Sequence, residues 1–79
     1  MTIEELYSLN IRPGTILRCI NNGAAINTFK INNRYVFKKI IIDDNCDPAI
    51  AVKGIPGYWY SPEFKIMKPN LNNIELIWI

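Results

Sequence analysis

Two periodicities divide the chain. In the opening "MTIEELYSLN", Ile3, Leu6, Tyr7 and Asn10 recur at the i, i+3, i+4, i+7 spacing of a helix face. Thr2 stands where a capping hydroxyl belongs, and Glu5 follows three residues later as in a capping box. Glu4 and Glu5 also suit the positive end of a helix dipole. Pro13 and Gly14 leave room for only about two turns, so a helix over 3–9 must lean on another element to persist.

From Thr15 the period becomes two. "TILRCI" sets Ile16, Arg18 and Ile20 against Thr15, Leu17 and Cys19, and Asn22-Gly23 supplies a turn. "RYVFKKIII" is the strongest strand signal, rich in β-branched and aromatic side chains, and "DDNCDP" ends it with turn formers. Strict alternation fails inside that strand. One face would carry Tyr35, Phe37 and Ile41 together with Lys39, the other Val36, Ile40 and Ile42 together with Lys38. A bend or bulge near the lysines lets the strand change the face it buries. "AIAVKG" predicts a shorter strand, "IPG" a turn, and "YWY" a brief strand stopping at Ser61-Pro62. A 3₁₀ turn is expected there before "FKIM" resumes an extended course. Pro69 and the asparagines at 70, 72 and 73 predict a loop, and "IELIWI" a last strand.

Five or six short strands separated by tight turns predict a mainly β fold, a small and strongly bent β-barrel with a short N-terminal helix. Residues 1–79 form one domain, because a chain this short buries only about 60% of its unfolded surface and supports one core. At 49% hydrophobic, the composition is rich enough to offset ordering entropy without disulfides.

"RYVFKKIIIDD", "AIAVKG" and "WYSPEF" together resemble the Src homology 3-like barrels of small bacteriophage proteins. The matching positions are Tyr35, Asp43 with Asp44, Gly54, Trp59 with Tyr60, and Phe64. The resemblance runs over about residues 13–67 and leaves out the first helix and the last strand. It implies the barrel fold and an accessory protein of phage type. The acidic-loop motif of the peptide-binding eukaryotic domains has no counterpart here, so proline-rich peptide recognition is not implied.

The chain contains no histidine, which removes Ser-His and Cys-His nucleophile pairs, imidazole bases and histidine metal clusters. Cys19 and Cys46 lack zinc spacing. They read as free thiols of a cytoplasmic protein, the host cytoplasm if the chain is phage-encoded, since no signal-peptide h-region precedes them and no apolar run is long enough to span a bilayer. Asp43, Asn45 and Asp47 imitate half a calcium loop, but Pro48 stands where its glycine belongs and Gly54 where its bidentate glutamate belongs. No catalytic group, cofactor or metal is therefore expected. The net charge of +2 does not by itself demand a polyanionic partner.

Three surfaces remain as candidates. Tyr58, Trp59, Tyr60 and Phe64 form an aromatic cluster suited to a protein interface. Alternation puts Trp59 opposite the two tyrosines, so one side packs the core while the other is exposed. Lys30, Arg34, Lys38, Lys39 and Lys53, with Lys65 nearby, could join the aromatics to bind nucleic acid, or simply solvate and guard strand edges. In the last segment Ile74, Leu76 and Trp78 share one face, Ile77 and Ile79 the other. That strand is either covered by the helix or offers an apolar edge, with Ile77 and Ile79, to a partner chain or a second copy. The first expectation is a non-enzymatic protein that binds a host protein through its aromatics. A nucleic-acid-binding barrel is the alternative, and a self-assembling virion-associated subunit the second.

Overall fold

The computed structural model describes residues 1–68. The "IELIWI" strand, with Ile77 and Ile79, lies outside the described residues, as does the loop expected before it. Among the described residues one helix, α1 (Ile3–Ser8), precedes five strands: β1 (Ile16–Asn21), β2 (Arg34–Ile42), β3 (Pro48–Val52), β4 (Ile55–Trp59) and β5 (Glu63–Lys68). All neighbouring strands are antiparallel, in one open sheet of order β4-β3-β2-β1-β5.

α1 begins with the expected capping box: the Glu5 N–H donates to Thr2 Oγ1, and Glu5 Oε1 accepts from the Thr2 N–H at 2.9 Å. It ends one residue earlier than the periodicity implied. Asn10 adopts a left-handed φ of 53° and so closes the helix instead of extending its face. Two buried residues, Ile3 and Leu6, anchor α1 in the core, and it packs against β3. Tyr7 stays half exposed.

β2 has the bounds its sequence predicts, and the bulge falls at the lysines. Its first part pairs with β1 (Ile16 opposite Val36), and its second with β3 (Phe37 opposite Val52, then Lys39 opposite Ala51). Lys38 is the extra residue. Tyr35 and Phe37 face the core before it and Ile40 after it, so the buried parity switches from odd to even and both lysines point to water. The kink is pinned from both sides: Phe37 exchanges hydrogen bonds with Thr15 and Gly14, while the Val36 carbonyl accepts from the Lys53 N–H.

Two local expectations are corrected. "IPG" is not a turn but the start of β4; the chain reverses at Lys53-Gly54, where Gly54 takes a φ of 86°. Pro56 is tolerated because β4 lies at the edge of the sheet, where a missing N–H costs no ladder bond. Between β4 and β5 the chain bends at Tyr60 and Ser61 without a 3₁₀ turn, and Pro62 is buried.

The core draws on every element except the edge strand β4, whose Ile55 and Trp59 pack against its margin. Its centre is Phe29, which belongs to the connection between β1 and β2 and is fully buried. The Phe29 ring meets Tyr35 at 5.0 Å, Trp59 at 5.7 Å and Phe64 at 5.7 Å, all edge to face. No helix among the described residues is long and apolar enough to cross a membrane. Both cysteines are free, Cys19 buried and Cys46 exposed. Phe29→Ala should cost about 3–5 kcal/mol, enough to unfold much of so small a domain. Urea denaturation checks it, and a loss below about 1 kcal/mol would show that Phe29 is not the centre.

Candidate binding surface

The aromatic cluster divides as alternation requires. Trp59 turns inward onto Phe29, and its indole N–H donates to the Pro56 carbonyl at 3.2 Å. Tyr58 and Tyr60 therefore face out, 40% and 54% exposed. Phe64 does not belong to the surface: it is fully buried between Phe29 and Tyr35 and reaches no partner from there. Strand parity explains this, since on β5 Phe64 and Ile66 point to the core and Lys65 away from it.

Beside the tyrosines lies a shallow, largely apolar cleft of about 280 Å³, lined by Ala24, Ala25, Tyr58, Trp59, Tyr60 and Ser61. Its far wall comes from the β1–β2 connection, which packs tightly onto the bend before β5. The Ala24 N–H donates to Ser61 Oγ at 3.0 Å. Gly23, with a φ of 54°, comes so close that a Cβ there would stand 2.6 Å from Ser61 Cβ. Glycine is required at this position for both reasons.

The two ends of the tyrosine ledge carry opposite charge. At one end Lys39 Nζ lies 5.6 Å from the centre of the Tyr58 ring. At the other, Tyr60 meets the acidic turn between β2 and β3 and shares a recess with Thr2, Ile3, Glu4, Asp47 and Pro48. Asp43 Oδ1 organises that turn by accepting from the N–H groups of Asp47 at 2.8 Å and Asn45 at 2.9 Å. The bond from Asp47 chiefly, with those from Tyr60 and Asn45, holds the Asp43 carboxyl below the usual carboxylate range. Asp43 in turn pushes the Tyr60 phenol up, first by accepting its hydrogen bond.

The predicted cations are scattered. Lys38 and Lys53 flank a groove of about 570 Å³ whose walls include Pro13, Gly14, Phe37 and Gly54. Lys39 sits with Tyr58, while Lys30 lies in the β1–β2 connection, where its backbone N–H donates to the Tyr35 hydroxyl at 2.8 Å. Arg34 opens β2 and stands opposite Arg18 of β1, a residue the linear cluster did not include. Among the described residues no group of three or more cysteine or acidic side chains is placed to hold a metal ion. Comparison with family models, with curated proteins and with solved structures found no match.

Two variants test this geometry. Gly23→Ala should destabilise the domain by about 2 kcal/mol or more, read by urea denaturation, because it adds left-handed strain to the clash with Ser61. Asp43 has a folded-state pKa below its unfolded value, so its stabilisation is complete above the unfolded value and is lost as pH falls through the folded one. Asp43→Asn, whose amide oxygen can still accept from Asn45 and Asp47, should flatten the loss of stability below about pH 4. It should also lower the Tyr60 titration midpoint towards that of an ordinary phenol. An unchanged acid limb would contradict the assignment.

Proposed function

We propose that the protein is a non-enzymatic binding module built as a small Src homology 3-like barrel, engaging a protein partner through the ledge of Tyr58 and Tyr60 and the adjoining cleft. The strand order β4-β3-β2-β1-β5, with β2 kinked so that it serves both halves of the sheet, supports the barrel reading. One observation carries the functional reading: Trp59 is fixed inward while two large aromatics beside it stay exposed next to an apolar recess. Tyr58 on β4 and Tyr60 at the bend that follows it offer apolar area with a polar tip, which is what interface hot spots use. The sequence resemblance makes a host protein of a phage the candidate partner, met in the host cytoplasm.

Nucleic acid is the second reading, favoured by the contact of Lys39 with Tyr58, which joins a cation to a stackable ring on one face. Affinity capture from a host lysate, with and without nuclease, followed by titration of the captured partner, separates the two. For a protein partner, Tyr58→Ala and Tyr60→Ala should each weaken binding by about 2 kcal/mol or more, with Lys38→Ala and Lys39→Ala changing it little. For nucleic acid, the lysine changes should dominate and each lost phosphate contact should lower the salt slope by about one unit. Trp59→Ala is the wrong probe, because it removes a core contact along with any surface effect.

A further inference from the structure

The outer face of the other half of the sheet carries a row of cations. Arg18 of β1 stands in register with Arg34 of β2 on one side and with Lys65 of β5 on the other. Parity puts all three on the face away from the core: Arg18 lies between the fully buried Leu17 and Cys19, Lys65 next to the fully buried Phe64, and Arg34 next to the core-packed Tyr35. Three positive charges thus line up across three adjacent strands, where directly opposed like charges are destabilising. Among the described residues no acid stands opposite any of them. The nearest on β5, Glu63, is in register with Asn21 and accepts from its side chain.

Arg18 is the telling member. It is half buried, and its Nε is shielded from water without any hydrogen-bond acceptor. A guanidinium N–H deprived of both solvent and partner is a cost the fold does not recover internally. Arginine carries a planar donor fork that suits a carboxylate, and register sets Arg34 and Lys65 on either flank of Arg18. Ile16 and Ile20 of β1 and Met67 of β5 surround the row on the same stretch of sheet; Ile20 is 43% and Met67 37% exposed.

We propose that this face is a second binding site, for an acidic protein segment whose carboxylates meet Arg18, Arg34 and Lys65 while its apolar side chains cover the isoleucines and Met67. Charge complementarity selects an acidic occupant. The apolar surround, with no aromatic side chain among Ile16, Ile20 and Met67, selects a peptide over a single-stranded nucleic acid, which needs rings to stack on. The site shares no residue with the tyrosine ledge and its cleft, which are lined by Ala24, Ala25 and residues 58–61.

The test uses the full chain and a fluorescein-labelled peptide of repeated Glu-Leu units, read by fluorescence anisotropy at low ionic strength, beside labelled oligothymidylate and a labelled duplex. Peptide binding should weaken about tenfold or more in Arg34→Glu and in Lys65→Glu, and stay unchanged in Tyr58→Ala and Tyr60→Ala. The same charge reversals should raise the melting temperature by about 2 °C or more, because each replaces a like-charged pair with an opposite one. Gain of stability with loss of binding is the signature of residues held for a ligand. Absence of peptide binding, or equal binding by the reversed variants, overturns the proposal. Tighter binding of either nucleic acid than of the peptide, lost in the same variants, replaces it with a nucleic-acid site. A rise in peptide affinity on Glu75→Gln would overturn it in favour of the chain's own acid as occupant.

Discussion

The structure depends on one phenylalanine held in the connection between β1 and β2. Phe29 sits edge to face against Tyr35, Trp59 and Phe64, which come from β2, β4 and the start of β5. Each such pair adds about 0.5–1.5 kcal/mol beyond the area it buries, and one ring makes three of them. The backbone around it is fixed to match. The Phe29 N–H donates to the Ala25 carbonyl, its own carbonyl accepts from Asn22 Nδ2, and Asn32 and Asn33 bond back to Cys19. A polar connection is thereby turned into the plug of the core. The orientation of Trp59 follows from that plug, and the exposure of its two neighbours follows from the orientation of Trp59.

The second constraint is the bulge in β2. A straight nine-residue strand would have buried one of the two lysines or exposed its apolar second half. Inserting Lys38 as an unpaired residue resolves the conflict and lets β2 leave β1 for β3. The sheet thus acquires two halves with separate outer surfaces. One half ends in β4 and presents the tyrosines between Lys39 and the acidic turn. The other ends in β5 and presents the row through Arg18. The two surfaces share a core but no residue.

What the sequence disclosed is what local chemistry controls. Thr2 and Glu5 cap a helix by their own hydrogen bonds, and "RYVFKKIII" shows both its strand and the failure of alternation that forces the bulge. The partition of Trp59 from Tyr58 and Tyr60 was legible as a choice between two packings. Choosing between them needed Phe29, and nothing periodic in "NNGAAINTFKINN" marks one aromatic there as central. "IPG" misled because proline and glycine signal turns in general, whereas an edge strand accepts both. Phe64 misled because its neighbours in sequence are surface residues while its strand parity is inward. Arg18 escaped the cationic cluster because sheet register, which no linear window contains, brings it beside Arg34 and Lys65.

Whether Phe29 is the plug on which the aromatic surface depends can be read directly by nuclear Overhauser spectroscopy of the aromatic protons. Strong cross-peaks are expected from the Phe29 ring to the rings of Tyr35, Trp59 and Phe64, as centroid separations of 5.0 to 5.7 Å require, with none from Phe29 to Tyr58 or Tyr60. A Phe29 ring without cross-peaks to Trp59 and Phe64, resonating as in a solvated peptide, would contradict it.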